Sequence, residues 1–448
     1  MTSKDAKVSN ASSGSAKVNP ESKQNAGQNA SKSSQEIPWG AIIALAMGML
    51  VYGVAESYGP VIAITGVIPK GFAWLGLSAP FIAAGVGALL AGYMADKLGR
   101  RNSFLLVAAM VLIGIIIFLA APTNVAAIII SFILIGMAAI GLETPVITAI
   151  AESVPAKWRG NLEVIVQNFG NLGVALVFIP VLLGLSAFES DAAYVLLFVA
   201  PLIALLIGYW TVKESIPWEA ATGKAQVEIN EAWKAVDKEA ESVNVTAGLG
   251  FRFLMITILG IAQDVAFVYI TYDVGYTYYQ YYVASEIPLI GGLTMVVVGI
   301  LLGIFFVHRI SRRTTATISY GLMVLLWALL WGFEAITHST SGITLLVLMT
   351  LLFLPVELTW GSRAMLEPEM FPTKRRGTYV SVVRFFVWVI AGSITGILSY
   401  YYTTPFNIEA GVVMAVFIIA FALALMWQYK GFETGKKSLA GFDAKQQS

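Results

Sequence analysis

From Ile37 onward the chain alternates long apolar runs with short polar joints. The runs fall at about 38–59, 74–95, 102–121, 125–150, 161–185, 192–212, 251–272, 287–307, 315–336, 343–366, 378–402 and 410–429. Each is close to the ~20 residues that a helix rising ~1.5 Å per residue needs to cross ~30 Å of hydrocarbon. The pattern predicts an all-α integral membrane protein with twelve transmembrane helices. The one long polar interruption, 214–248, separates six runs from six. It predicts a short amphipathic helix lying at the membrane surface with a solvated charged face. The expected organisation is a tail over 1–36, a six-helix domain over 37–213, a linker over 214–248, a second six-helix domain over 249–430 and a tail over 431–448. Residues 1–36 hold almost no large apolar side chain, so they cannot offset the entropy of ordering and are expected to be disordered.

Composition agrees with this class. Hydrophobic residues make up 57% of the chain, charged residues 12%, and mean hydropathy is +0.76, more apolar surface than a soluble core of this size could hide. A net charge of +1 gives no support to nucleic-acid binding. There is no cysteine, and His308 and His338 are too far apart to suggest a metal site, so no cofactor or metal is expected. Of 28 Lys and Arg, 25 fall in the tails, the linker or the joints on one side, and Lys70 alone falls on the other. Arg363 and Arg384 lie inside apolar runs. That asymmetry places both termini in the cytoplasm of a multi-pass plasma-membrane protein, with Glu189, Asp191, Glu286 and Glu409 outside. A monomer is expected.

One phrase occurs twice: Glu152-Ser-Val-Pro155-Ala-Lys157-Trp-Arg159-Gly160 and Glu369-Met-Phe-Pro372-Thr-Lys374-Arg-Arg376-Gly377. The copies stand 217 residues apart, each after a long apolar run. Matching charges at matching joints of two halves point to a transporter built from two repeats.

The joint between the second and third runs reads Gly92-Tyr-Met-Ala-Asp96-Lys97-Leu-Gly99-Arg100-Arg101. It resembles the signature of the major facilitator superfamily, G-x-x-x-D-R/K-x-G-R-R/K, at the same joint. The second half carries a worn copy, His308-Arg309-Ile-Ser311-Arg312-Arg313, in which His308 stands opposite Asp96. The doubled E-x-x-P-x-K-x-R-G is similar to that of the sugar-porter branch and its relatives. Glu214-Ser215, and Glu433-Thr434-Gly-Lys436-Lys437-Ser438-Leu439, resemble two further landmarks of that branch. The resemblance implies a cytoplasmic gate in which Glu152, Arg159, Glu369 and Arg376 form salt bridges with the Asp96, Arg100 and Arg101 loop, with Arg312 in the second half. A static fastening of the inner surface is the alternative. Exposed pairs contribute about 0–1 kcal/mol each, so a switch of this kind would need a network of six or more groups.

Ionisable residues at membrane depth are costly and therefore suggest a role. Glu56, Glu143, Asp273 and Glu357 are the proton-coupling candidates; Asp264, Arg363 and Arg384 share their depth. Glu56 follows Tyr52-Gly53, where proton-coupled members of the resembled family carry an acid, or else it lies near the outer surface. Gly141-Leu-Glu143-Thr-Pro145 resembles the G-x-D/E-x-P pattern of related metabolite and phosphate symporters, and Pro355-Val-Glu357 is its counterpart 214 residues on. Such acids could share protons, or one could pair with Arg363 or Arg384.

The repeat also locates a substrate site. Gln167 lies eight residues after Arg159, matching the family's sugar-binding Gln, and Arg384 lies eight after Arg376. The two should face one cavity from opposite halves, an amide against a fixed cation. Asn168, Asn171, Gln263, Tyr272 and Trp360 are further lining candidates, and Trp388 matches the family's cavity tryptophan. The family's seventh-helix sugar motif is absent; the tyrosines from Tyr276 to Tyr282 read as an interfacial belt. The expectation is a secondary active transporter, not an enzyme, that moves a small polar solute and protons across the lipid bilayer by alternating access. Its leading cargo is a sugar or related polyol. An organic acid or inorganic anion, suggested by Arg384, and a non-transporting nutrient sensor are the alternatives.

Overall fold

A computed structural model of the chain describes residues 37–64, 73–182, 189–274, 281–337, 343–400 and 405–447. The tail 1–36 and the segment 275–280 lie outside the described residues. In the first half, six long helices follow one another: α1 (Trp39–Ile64), α2 (Ala73–Lys97), α3 (Arg100–Ala120), α4 (Val125–Ser153), α5 (Ala156–Leu182) and α6 (Glu189–Thr211). Two short helices, α7 (Ile216–Ala221) and α8 (Ile229–Val236), form the linker. The second half holds α9 (Leu249–Val268), α10 (Tyr281–Leu301), α11 (Arg312–Thr337), α12 (Ile343–Glu369), α13 (Arg376–Tyr400) and α14 (Phe406–Lys430), and a last helix, α15 (Ala440–Gln447), follows. Wider π turns at Tyr269–Asp273 and Leu302–Phe306 extend α9 and α10. The twelve long helices are those the apolar runs predict, and eleven meet the length and apolarity needed to cross a membrane among the described residues.

Hydrocarbon rather than water explains the surface. Leu106, Ile113, Ile116, Ile130, Leu325 and Ile397 stand exposed on helix faces that a soluble protein would have to cover, while Arg100, Glu143, Arg363 and Arg384 are buried. Helices suit this solvent because each satisfies its own backbone, and Asn124 closes the start of α4 by accepting from the amides of Ala126 and Ala127.

Two seams join the halves: α2 runs along α13, and α5 along α10. Small residues set these approaches. A Cβ on Gly92 would strike Ser381 and the Gly377 carbonyl across the α2–α13 seam. Within the first half, a Cβ on Gly53 of α1 would strike the Gly170 carbonyl of α5.

The linker departs from expectation. The apolar face of α8, Ile229, Ala232, Trp233 and Val236, is covered by the protein itself, not laid against a membrane surface. The Trp233 indole donates to Asp443 Oδ2 (2.9 Å). The end of the chain is likewise tied down: Ser438 N donates to Glu241 O and Val243 N to Ser438 O, a short parallel bridge between linker and tail.

Gly53→Val should force α1 off α5 at an overpacking cost of about 1–3 kcal/mol. A clear fall in the thermal midpoint of the detergent-solubilised protein is expected, and an unchanged midpoint would contradict the contact.

Candidate functional site

The inner ends of the helices carry the repeated phrase, and each letter of it has a place. Pro155 and Pro372 leave helical conformation between α4 and α5 and between α12 and α13; the Pro155 carbonyl accepts from the amides of Trp158 and Arg159 in the first turn of α5. Lys157 and Lys374 face solvent. Each glutamate, by contrast, is fully buried and takes two guanidiniums, one from each half. Glu152 accepts both Nε (3.0 Å) and Nη2 (2.8 Å) of Arg100, and Nη1 of Arg376 (2.7 Å). Glu369 accepts Nε of Arg159 (2.8 Å) and Nε of Arg312 (3.3 Å), and the Thr434 hydroxyl as well. Thus each copy of the phrase pairs with the other: Glu152 with Arg376, and Glu369 with Arg159.

The glycines admit the opposing loop. Asp96 reaches across the seam to accept from Gly377 N (3.1 Å) and Thr378 N (2.7 Å), capping the N-terminus of α13 with a carboxylate. A side chain at Gly377 would crowd Asp96, and one at Gly160 would strike the Arg312 guanidinium. His308 occupies the place of Asp96 in the second half, and the acid at the start of α5 comes instead from the linker, where Asp237 accepts Ala156 N (2.6 Å). Two further carboxylates close the loops: Glu214 accepts Arg100 N (2.7 Å) and Glu433 accepts Arg312 N (3.0 Å). Gly99, at φ +107°, has the Glu214 carboxylate where a Cβ would sit, so only glycine fits. Burial pushes the Glu214 carboxyl up from its ordinary value despite these amide donors, and does the same to Asp237, which accepts Ala156 N at the start of α5.

Three expectations about this gate need correction. Arg101 is not in the network: one residue on from Arg100 it points ~100° away around the helix, donating to the Tyr209 carbonyl (2.8 Å) and lying over the Tyr209 ring. Arg159 and Glu369 join Arg312 rather than the Asp96–Arg101 loop, because the repeat gives each half its own arginine. The pairs are also buried, not exposed, and removing one partner of a buried pair costs about 3–5 kcal/mol.

Deeper in, the predicted residues divide into paired and unpaired. Arg384 does not present a free cation. It is clamped by Glu143 of α4 and, through Nε (3.0 Å) and Nη2 (2.9 Å), by Glu367 of α12, because a lone guanidinium at this depth would carry an unpaid desolvation cost. Arg363 donates to Asp264 (3.0 Å), Glu367 (3.2 Å) and Gln263 (2.6 Å), so Gln263 serves the charge cluster rather than lining open space. Tyr272 and Ser57 share a hydroxyl hydrogen bond (3.1 Å) that ties the π turn after α9 to α1. Glu357 accepts Asn171 Nδ2 (2.6 Å), which also reaches Asn168 Oδ1 (2.9 Å), and Asn168 Nδ2 donates to the Val296 carbonyl (2.7 Å). Trp360 packs on Tyr52 with ring centroids 5.8 Å apart, and Trp388 stacks on Phe81 at 5.7 Å.

What stays unpartnered is informative. Both amide atoms of Gln167, Asn171 Oδ1, Trp388 Nε1 and Glu56 Oε1 are buried without a hydrogen bond. Glu56 is 3% exposed, inside the bundle rather than at its outer surface. The side chain of Asp273 lies outside the described residues.

Sequence reasoning missed Glu367 and Asp443. Glu367 stands four residues after Arg363, a spacing that puts acid and base on one helix face and could have flagged it. Asp443 accepts from Trp233, from the Thr373 amide (3.0 Å) and from its hydroxyl (2.7 Å); nothing in the tail's composition marks it.

The Major Facilitator Superfamily model matches residues 38–396. The chain belongs to that family of membrane transporters. It is 27% identical over 370 residues to the glucose transporter GlcP of Staphylococcus epidermidis, covering 75% of this chain and 81% of that one. It is 27% identical over 354 residues to the major myo-inositol transporter IolT of Bacillus subtilis, covering 68% and 72%. Among solved structures, the proton:xylose symporter XylE superposes with a TM-score of 0.71 at 19% identity, covering 91% of this chain and 98% of that one. The twelve-helix, two-half fold predicted from the apolar runs is the fold of this superfamily.

Glu152→Gln should leave Arg376 and part of Arg100 uncompensated and favour separation of the inner helix ends. Because the chain has no cysteine, a cysteine placed at Ser381 reports this directly: thiol labelling from the cytoplasmic side should rise several-fold, and unchanged labelling would refute the gate assignment.

Proposed function

We propose that this chain is a proton-coupled symporter of a sugar or related polyol, working by alternating access as a monomer in the plasma membrane with both termini in the cytoplasm. Membership of the transporter family and the names of GlcP, IolT and XylE support a polyhydroxylated cargo and a proton as its driving partner.

The observation that carries this reading is the set of neutral polar atoms left open in the bundle. Gln167 is buried with neither amide atom engaged, and the Trp388 indole N–H is likewise free. A buried polar group without a partner costs about 1–3 kcal/mol, a cost that a hydroxyl-rich ligand would relieve. The tryptophan face, stacked on Phe81, suits the apolar side of a sugar ring. The cations at this depth are already matched, Arg384 by Glu143 and Glu367, Arg363 by Asp264 and Glu367, which favours a neutral solute over an anion. Glu56, buried in α1 with one carboxyl oxygen unbonded and with no ion pair among the described residues, is placed to carry a proton.

Proteoliposomes with an inward proton gradient and labelled sugars, inositols, carboxylates and phosphate test the reading. A sugar or polyol should accumulate. Gln167→Ala should raise its KM by roughly 5- to 150-fold, the equivalent of ~1–3 kcal/mol. Glu56→Gln should abolish accumulation while sparing exchange at equal concentrations. Accumulation of only a carboxylate or phosphate would overturn the sugar assignment.

A further inference from the structure

The four gate arginines differ in where their hydrogen bonds run. Arg100 is held by Glu152 and Asp96 of its own half, and Arg312 by Glu369 and the Val307 carbonyl of its own half. Arg376 gives one bond to Glu152 across the seam and keeps another to the Phe371 carbonyl. Arg159 keeps none. Its Nε donates to Glu369 (2.8 Å) and its Nη2 to the carbonyls of Thr434 (3.3 Å) and Lys437 (2.9 Å), all in the second half or the tail that follows it, while Nη1 has no hydrogen bond. Were the halves to part, Arg159 would lose every contact that offsets its burial.

Beside it on α5 stands an acid with the opposite difficulty. Glu163 is fully buried, and neither of its oxygens accepts a hydrogen bond. It lies four residues after Arg159, the spacing that sets two side chains on one helix face with Cβ atoms about 5–6 Å apart. The charged groups that act on it are Glu369, Arg159, Arg312 and Arg376. Asp237, which also faces Arg159, is committed to Ala156 N. Duplication does not account for Glu163: the repeat offset of 217 sets Val380, buried and apolar, at the matching position of α13. Nor is it needed to shut the gate, since Glu369 already holds Arg159 there. A buried carboxyl left without hydrogen bonds calls for a second arrangement that uses it.

We propose that Glu163 is the partner that Arg159 takes when the halves part. Rotation of the Arg159 side chain carries its guanidinium from Glu369 and the tail to the carboxylate on its own helix, so the cation is paired in both states. The shut gate uses the acid of the opposite half, and the open one uses the acid of the same helix. The proposal rests on the alternating-access reading above and concerns neither the cargo nor the proton.

The test needs no substrate. Lys157 and Lys374, exposed at the inner ends of opposite halves, are replaced by cysteine in the otherwise cysteine-free chain and spin-labelled, and pulsed electron paramagnetic resonance in nanodiscs reads the short- and long-distance populations. Glu163→Val, which copies the matching residue of the other half, should deplete the long-distance population several-fold. Glu369→Gln should enrich it. Were Glu163 merely balancing the charge of the shut gate, both changes would leave surplus positive charge and both would enrich that population. In an Arg159→Gln background, Glu163→Val should cause no further change, because the two residues act as a pair. An unchanged or enriched long-distance population in Glu163→Val, or an equal depletion without Arg159, would overturn the proposal. If Arg159→Gln does not fold, Glu163→Asp decides in its place: a long-distance population near that of the unaltered chain supports the pairing, and one as low as that of Glu163→Val overturns it. A single short distance in every variant would remove the alternating-access reading and this proposal with it. Two populations that Glu163→Val leaves alone would remove the proposal and spare that reading.

Discussion

A buried carboxylate needs a cation within reach, and at the inner face of this protein that cation comes from the other half of the molecule. Glu152 and Glu369 each hold an arginine of their own repeat and one of the opposite repeat, so neither half can satisfy its charges by itself. The close approach of α2 to α13, the glycines that permit it, and the carboxylate of Asp96 on the amides of α13 all follow from meeting that demand. Separating the halves at this face would strand charges in a place that water does not reach, so the buried pairs hold the halves together.

The linker and the C-terminal segment extend the same logic outward. Asp237 closes the start of α5, and Asp443 holds Thr373 beside the start of α13 while accepting from Trp233 of the linker. Trp218 and Trp233 lie under the guanidiniums of Arg100 and Arg376. Aromatic rings and capping carboxylates therefore cover the ion pairs, and linker and tail are bound to the same helix ends.

Depth separates what duplication preserved from what it released. At the helix ends that carry the doubled phrase the halves correspond group for group, down to the capping of Arg100 by Glu214 and of Arg312 by Glu433. One or two turns inward the correspondence ends. Gln167 and Arg384 occupy repeat-related positions, yet one has no partner and the other has two carboxylates. Glu143 and Glu357 are similarly related, but Glu143 meets a guanidinium and Glu357 an asparagine amide. Symmetric ion pairs at the helix ends thus frame an asymmetric interior.

The sequence by itself determined the class of fold. Twelve apolar runs of membrane length leave the backbone no alternative to helices in hydrocarbon, and the doubled phrase announced two halves with matched inner ends. It also identified most of the charged groups that matter, since a charge at that depth is conspicuous in one dimension. What it could not decide was pairing. Whether Arg384 faces a ligand or two carboxylates, whether Arg100 or the adjacent Arg101 enters the gate, and whether the apolar face of α8 meets lipid or Trp233's own protein partners depend on which groups from distant segments arrive within about 3 Å. That is a property of helix rotation and seam geometry, fixed only when the two halves pack, because each buried charge takes as its partner whatever the other helices bring to it.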